Sequence, residues 1–355
     1  MDVGLDAVVA AETVLSHVDG QAGRLVLRGF DLEELAGRRS YEAVLALLWQ
    51  GFAPVDDIAA ALGRARVEAF RILEPRLPAL DGLTPIEAVR GGLALLADAE
   101  AKPHHLLATA AASVLAAAAS RRAAGRPALA PDPALGHAAD FLRMLRGDAP
   151  SAAHARALDT YLVTIADHGL NASTFAARVI ASTRAGMLSA LVGGVCALKG
   201  PLHGGAPGPV LDMLDAIGDS ESIEPWLTGA LERGDRLMGF GHRVYRVRDP
   251  RADVLKRVVT ELRGETNRIR FAEAVEATAI RLLAQRKQGR GLDTNVEFYT
   301  ALLLEALALP RDLFTAVFAV GRIGGWAAHV LEQEQSRRII RPQSAYVGPL
   351  PQRAA

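Results

Sequence analysis

Residues 200 to 205 are Gly200-Pro201-Leu202-His203-Gly204-Gly205, so that one histidine lies between a proline turn and two glycines. Glycine lets the backbone come close to whatever the imidazole contacts. A second histidine, His242, is framed by glycines in the motif GFGHRVY, and Glu297 lies among apolar neighbours in the motif NVEFY. A single loop histidine is often without function. Two glycine-framed histidines and a carboxylate, however, are the groups that move protons around a carbonyl compound.

The pattern of apolar residues indicates a mainly α-helical protein. Around Asp19-Gly20 the chain alternates between apolar and polar side chains, which is typical of a short β-hairpin. From Asp31 almost to the end, apolar residues recur at the spacing of one helix face. The prolines between residues 124 and 133 exclude a helix there, because each removes a backbone donor and clashes with the preceding turn.

Composition limits the class of protein. The 355 residues can bury a large core, and 50% of them are hydrophobic, as in a globular protein. Lysine and arginine number 40, as do aspartate and glutamate, and the resulting zero charge argues against a nucleic-acid or anionic-membrane partner. The one cysteine, Cys196, excludes an internal disulfide, and we expect it to be a small buried residue. Asp2 and Asp6 stand where a signal peptide carries positive charge, so we expect a soluble, cytoplasmic protein.

Two further patterns are weak candidates for binding sites. Gly239 and Gly241 form a G-x-G, but no third glycine in phase and no β-α-β unit follow, so we do not expect a dinucleotide site. His104 and His105 are adjacent rather than on one helical face, and no cysteine lies nearby, which argues against a metal site.

Several motifs give the chain a resemblance to the citrate synthase family, including its 2-methylcitrate synthases. The motifs GPLHGG, GFGHRVY and NVEFY carry it together with RGFD at 28–31, DHGLNAST at 167–174, DPR at 249–251, the helix with Arg322 and Gly325-Trp326, and RPQSAYVG at 341–348. These motifs keep the family's order and are spread over nearly the whole chain.

The resemblance implies two helical domains. Residues 1–205 and 311–355 would form a large domain with a dimer interface, and residues 206–310 would form a smaller domain that closes over the active site. The segment 171–199 consists mostly of small residues, which let helices approach closely. The resemblance implies that this segment forms the interface of a homodimer, and the alternative is a helix pair buried within one subunit.

The resemblance also implies a condensation of acetyl-CoA or propionyl-CoA with oxaloacetate, followed by hydrolysis of the thioester. Glu297 would remove the α-proton while neutral His203 donates a hydrogen bond to the thioester oxygen, and His242 would donate to the keto oxygen. The remaining residues would bind substrate: His168, Arg251, Arg322 and Arg341 the oxaloacetate, Arg246 and Lys256 the CoA phosphates. Arginine suits carboxylates because its planar fork matches them. Since every step is acid–base chemistry, we expect neither a metal nor a cofactor.

Two departures from the family's pattern concern the thioester end of the site. Glu297 stands where the family usually has aspartate, with Thr294 in place of a proline, and residues 206–209 replace the commoner Ala-Asn-Glu after Gly205. The choice between the two acyl-CoA substrates stays open, because one methylene changes binding by only ~1–3 kcal/mol in an apolar pocket. A protein without turnover that binds CoA or a dicarboxylate as a sensor also stays open.

Overall fold

The structure is a computed structural model that describes residues 8–98, 103–204, 207–241, 244–245, 247–262, 267–286 and 292–349. Its three strands are β1 (Ser16–Asp19), β2 (Arg24–Leu27) and β3 (Phe30–Asp31). Its helices are α1 (Leu32–Leu35), α2 (Tyr41–Trp49), α3 (Ile58–Leu73), α4 (Pro85–Ala94), α5 (His104–Ala123), α6 (His137–Arg146), α7 (Ala152–Ile165), α8 (Ala172–Ser182), α9 (Met187–Leu198), α10 (Pro207–Ile217), α11 (Ile223–Glu232), α12 (Pro250–Glu261), α13 (Asn267–Arg286), α14 (Val296–Ala306) and α15 (Phe314–Ser336). Short 3-10 helices span Glu74–Leu80 and Arg311–Leu313. The expectation of a mainly α-helical protein is confirmed.

The predicted β-hairpin is present at the N-terminal end of the described chain. Strands β1 and β2 pair antiparallel, with Ser16 opposite Leu27, and β3 adds a third strand beside β2. In β2, Leu25 and Leu27 are buried on one face, as the alternation predicts. At the tip, the Asp19 carboxylate accepts hydrogen bonds from backbone N–H groups of the turn, which stabilises the reversal.

Helix α15 lies at the centre of the larger group of helices and packs against α2, α4, α5, α7, α8 and α9. Glycines let it approach α7: a Cβ on Gly325 would lie 1.9 Å from the Ala166 carbonyl oxygen, and one on Gly321 would lie 2.6 Å from Ile165 Cδ1. By length and composition, Arg311–Ser336 is the one described stretch that could cross a membrane, but 94% of its apolar window is buried inside the fold. It is therefore the core helix of a folded domain.

Helices α10 to α14 form a second group. Helix α14 packs against α10 and α12, and α11 packs against α13. Helix α12 also contacts α7 and α1, so it links this group to the first. These five helices fall within residues 206–310, the segment predicted to be the smaller domain, and that division stays a prediction.

Two local expectations have opposite outcomes. No helix forms in the proline-containing segment between α5 and α6, as predicted, and buried Arg66 holds this segment by donating to the Leu135 carbonyl while pairing with Asp140. The expectation that Cys196 is buried is wrong, because its side chain is exposed on α9. Helix α9 buries the face that carries Leu191 and Val195 against its neighbours, and Cys196 lies on the opposite face.

Candidate active site

His203 lies in the turn that follows α9, and its side chain is partly buried. The turn is closed by a hydrogen bond from the Gly204 N–H to the Leu198 carbonyl, 2.9 Å long. A Cβ at Gly204 would lie 2.5 Å from the same carbonyl oxygen, so only glycine fits this close approach. The imidazole Nε2 lies 2.8 Å from Ser173 Oγ, and its ring meets Phe318 edge to face.

The Ser173 hydroxyl has three hydrogen-bonding neighbours but only one proton. Asn171 Oδ1, 2.7 Å away, also accepts from the backbone N–H groups of Ser173 and Thr174, so it can only accept. Trp326 Nε1, 3.2 Å away, can only donate. The Ser173 hydroxyl is therefore held between a donor and an acceptor, and its contact with Nε2 holds the His203 ring in place.

His203 is neutral at physiological pH. Burial, and then the nearby Arg322 guanidinium, lower the pKa of His203 to about 4, because both disfavour a charged imidazole. A neutral ring keeps a single N–H that it can donate to a carbonyl oxygen. Such a group stabilises an enol or enolate without protonating the substrate in advance.

Glu297 lies in the first turn of α14, and its backbone N–H is capped by the Asn295 side chain at 3.0 Å. The Oε2 atom of Glu297 is shielded from solvent and has no hydrogen-bond partner among the described residues. Burial raises the pKa of Glu297 to about 7; Arg251 opposes this rise and Asp249 adds to it. A carboxylate with a pKa near 7 is a stronger base than an ordinary glutamate and is suited to proton abstraction at neutral pH.

A short antiparallel bridge brings the second glycine-framed motif next to Glu297. Phe240 pairs with Thr294, and backbone hydrogen bonds join the Gly241 N–H to the Asp293 carbonyl at 2.8 Å and the Asn295 N–H to the Gly239 carbonyl at 2.9 Å. Gly239 and Gly241 both have positive φ angles, 84° and 76°, which L side chains rarely adopt. His242 itself lies outside the described residues.

Arg251 is buried and fixed by Asp249, the N-cap of α12. The two side chains form a bidentate ion pair, with Nε to Oδ1 at 3.0 Å and Nη2 to Oδ2 at 2.8 Å. The Asp249 carboxylate also accepts from the backbone N–H of Val296, the first residue of α14. Asp249 therefore ties the helix start that carries Arg251 to the helix start that carries Glu297.

Arg322 is a second buried guanidinium, in the middle of α15. Its Nε donates to the Ile165 carbonyl at the end of α7, and its guanidinium lies 4.8 Å from the centre of the Phe318 ring. No described carboxylate forms an ion pair with it. Burial lowers the pKa of Arg322 to about 10, with nearby Asp167 opposing this change and Arg251 adding to it. Arg322 is therefore a cation available to an anionic ligand.

His168 joins the same site through Tyr245. The Tyr245 hydroxyl lies 3.1 Å from His168 Nε2, and the Arg251 guanidinium lies 5.8 Å from the centre of the Tyr245 ring. The preceding residue, Asp167, is buried and accepts hydrogen bonds from Ser16 in β1 and from His329 in α15. Burial raises the pKa of Asp167, but His329 and these hydrogen bonds outweigh it and hold the pKa below its usual value. An ionised, anchored Asp167 fixes the loop that carries His168.

The structure therefore brings together five of the nine predicted site residues: His168, His203, Arg251, Glu297 and Arg322. Arg341 is exposed in the C-terminal tail, away from any described acidic partner. Lys256 lies 2.9 Å from Glu276 Oε2 in an ion pair, so its ammonium already has a partner. Arg246, like His242, lies outside the described residues. The roles of all nine stay predictions.

Three supporting residues belong to the quoted motifs but were given no role from the sequence: Ser173, Asp249 and Tyr245. Asp249 could have been recognised because an aspartate followed by proline is a helix N-cap signal. Ser173 and Tyr245 carry no comparable local signal, since the residues they contact are distant in the sequence.

The site combines a carboxylate poised to take a proton, a neutral imidazole able to donate a hydrogen bond, and buried arginines that favour an anionic ligand. Comparisons with known proteins agree with this chemistry. The family model for the citrate synthase C-terminal domain matches residues 4–343. The citrate synthase of Haloferax volcanii is 40% identical over 97% of this chain and 95% of its own. The 2-methylcitrate synthase of Mycobacterium tuberculosis is 35% identical over 97% of this chain and 90% of its own.

The fold agrees as well. The structure of Thermoplasma acidophilum citrate synthase in a ternary complex with carboxymethyl coenzyme A and oxaloacetate superposes with a TM-score of 0.88, at 28% identity, over 99% of this chain and 97% of that one. The sequence match and the structural match both cover nearly the whole chain, so no large segment has a different architecture. The chain belongs to the citrate synthase family.

Proposed function

We propose that this protein condenses an acyl-CoA, acetyl-CoA or propionyl-CoA, with oxaloacetate and hydrolyses the resulting thioester to citrate or 2-methylcitrate and CoA. The observation that carries this proposal is the presence, near Arg322, of both a neutral imidazole, His203, and a buried carboxylate, Glu297, that has no hydrogen-bond partner on Oε2. A base and a hydrogen-bond donor must act together here, because a thioester α-proton is too weakly acidic for a carboxylate alone.

In the first step, Glu297 takes a proton from the α-carbon while the His203 N–H donates to the thioester oxygen, which gives an enol or enolate. The α-carbon then attacks the keto carbon of oxaloacetate, and the keto oxygen receives a proton from His242. Water attacks the thioester carbonyl of the product, and CoA leaves as the thiol. All three steps are acid–base chemistry, so the reaction requires neither metal nor cofactor.

Oxaloacetate carries two carboxylates, which calls for more than one cation. Arg322, which has no ion-pair partner among the described residues, and Arg251, which is held in place by Asp249, are the two buried guanidinium groups. His168 is oriented by Tyr245 and adds a hydrogen-bonding group on the same side. We assign Lys256 and Arg246 to the CoA phosphates, although the ion pair between Lys256 and Glu276 lends no support to the first of these.

A homodimer is part of the proposal. Helices α8 and α9 pack against each other and leave Val192, Gly193 and Cys196 at least partly accessible on an outer face of small side chains. The tail after α15 exposes Tyr346 and Val347, which have little of their own chain to pack on. We propose that a second subunit covers both surfaces and that Arg341 reaches its site. The protein would act in the cytoplasm, where its single cysteine stays reduced.

The experiment that tests the function is thiol release from each acyl-CoA, with and without oxaloacetate. We expect release that depends on oxaloacetate, with citrate or 2-methylcitrate as the product. The ratio of kcat/KM between the two thioesters identifies the physiological acyl group. Binding of either thioester without any thiol release would favour the sensor hypothesis instead.

A further inference from the structure

Tyr161, on α7, has a hydroxyl that the fold buries without satisfying. The side chain is fully buried, with 0% of its surface exposed, and the hydroxyl oxygen has no hydrogen-bond partner among the described residues. Buried tyrosine hydroxyls are normally hydrogen-bonded, and an unpaired one costs stability. An exception of this kind requires an explanation in function or strain.

Three charged groups of the active site act electrostatically on the Tyr161 hydroxyl. Glu297 has the largest effect, followed by Arg322 and Arg251. Helix α14, which carries Glu297, packs against α7, which carries Tyr161. The Thr300 hydroxyl, one turn further along α14, also approaches the phenol but leaves it unsatisfied.

Two buried atoms without partners thus lie on two helices that pack against each other. The Tyr161 O–H is a donor without an acceptor, and Glu297 Oε2 is a buried acceptor without a donor. An O–H···O⁻ bond to an ionised carboxylate is among the stronger hydrogen bonds in proteins. The two atoms are therefore complementary, and both would gain if a small movement of α14 toward α7 joined them.

We propose that Tyr161 is a positioning residue for the catalytic base: in the substrate-bound enzyme its hydroxyl donates to the ionised Glu297 carboxylate and holds it toward the α-carbon of the thioester. This inference rests on the proposed function, in which Glu297 is the base. One donor occupies one oxygen of the carboxylate and leaves the other free to accept the α-proton.

A hydrogen bond from Tyr161 matters more for a glutamate than for an aspartate, because the glutamate side chain is longer and more flexible. Glutamate has one more rotatable bond than the aspartate usual in the family, so its carboxylate has more positions to explore. Misplacement of a base by about 1 Å costs on the order of 10²-fold in rate. A rigid, fully buried phenol on a neighbouring helix is a suitable restraint.

The test compares Tyr161→Phe with Tyr41→Phe. Tyr41 is equally buried, but its hydroxyl donates to the carbonyls of Val320 and Gly321 at 3.1 and 2.9 Å. We expect Tyr161→Phe to keep or raise Tm, because it removes an unpaired buried hydroxyl, and to lower kcat by at least ~10-fold. Tyr41→Phe should lower Tm and leave kcat within about threefold of the parent.

The pH profile separates positioning from packing. Loss of a donor to the ionised carboxylate raises its pKa, so the acid limb of kcat should move to higher pH, by about one unit, in Tyr161→Phe. The inference would be overturned if Tyr161→Phe changed neither kcat nor the acid limb of its pH profile. It would also be overturned if kcat and Tm both fell while the acid limb stayed where it is in the parent. If the parent itself releases no thiol, the proposed function fails. In that case an NMR titration of ¹³C-labelled Glu297, in protein bound to oxaloacetate and carboxymethyl coenzyme A, still decides whether Tyr161→Phe raises the pKa.

Discussion

His203 and Ser173 are hydrogen-bonded, with 2.8 Å between Nε2 and Oγ, although they are 30 positions apart in the sequence. The serine also contacts Trp326 Nε1 and Asn171 Oδ1, so its hydroxyl is held from three sides. A fixed hydroxyl in turn fixes the position of the imidazole ring. The orientation of the proposed electrophile is therefore set by the loop and first turn of α8, not by its own glycine-rich turn.

Ser173→Ala should lower turnover with little loss of stability. The imidazole would lose the hydroxyl that contacts its Nε2, and we expect kcat to fall about tenfold, less than the roughly 10²–10⁴-fold loss for removing a positioned acid or base, because the ring itself remains. Loss of the Trp326 hydrogen bond costs on the order of 1 kcal/mol. Steady-state kinetics and thermal unfolding measure the two effects.

The neighbouring Thr174 provides the matched control. Its hydroxyl is buried and has no described hydrogen-bond partner, so Thr174→Val removes a hydroxyl from the same helical turn without removing a hydrogen bond. We expect parent-like kcat and an equal or higher Tm. A Ser173→Ala variant that is as active as Thr174→Val would show that Ser173 does not orient His203.

Glu297→Gln should stabilise the protein above neutral pH while nearly abolishing turnover. The pKa of Glu297 is about 7 in the folded protein against an ordinary value of 4.5, so the folded state binds the proton more tightly than the unfolded chain. The stability from this group is present below pH 4.5 and is lost as the pH rises toward 7. At pH 8 we expect the variant to gain about 1–3 kcal/mol in free energy of unfolding, and at pH 5 much less.

Chemical denaturation at the two pH values measures this difference. Glu221→Gln, at an exposed position, should show no comparable change between them. An equal Tm and an equal free energy of unfolding for parent and Glu297→Gln at pH 8 would mean that the folded carboxylate is not destabilised by burial. Parent-like turnover in the same variant would remove Glu297 from the mechanism.

Glu297→Asp distinguishes a site adapted to glutamate from a damaged aspartate site. If Thr294, Tyr161 and the residues after Gly205 fit the longer side chain, the aspartate carboxylate falls short of the α-carbon by about 1 Å and turnover drops on the order of 10²-fold. We expect this drop. Higher turnover in Glu297→Asp than in the parent would instead mean that glutamate is a lesion in this chain.

Hybrid dimers test whether Arg341 acts in the neighbouring subunit. Arg341 is exposed in the single chain. Mixing Arg341→Ala subunits with His203→Ala subunits should create dimers with one complete site, since one subunit supplies the histidine and the other the arginine. We expect the hybrid dimers to be more active than dimers of either single variant. Hybrids no more active than the two single variants would place the arginine in the site of its own chain.

Much of the fold follows from local patterns. The alternation around Asp19-Gly20 predicts the hairpin, and the apolar spacing after Asp31 predicts the helices, because both periods arise from the backbone geometry of a single element. The glycines near His203 and before His242 likewise follow from local backbone geometry. A side chain at Gly204, Gly239 or Gly241 would clash with a neighbour or strain the backbone. The resemblance to citrate synthases rests on these same short motifs.

The spacing of apolar residues along the sequence does not show which helix faces pack against each other. The Cys196 side chain is exposed because α9 turns its other face inward, and the Lys256 ammonium is paired because α13 brings Glu276 beside it. The tie from Asp249 to Val296 and the two unpartnered oxygens of Tyr161 and Glu297 likewise depend on helices far apart in the chain. The low pKa of His203 and the high pKa of Glu297 come chiefly from burial, which is a sum over such distant neighbours. The sequence thus determines which chemical groups are present. Their acidity and orientation arise only when the helices pack, because packing excludes solvent from these groups and brings their partners into contact.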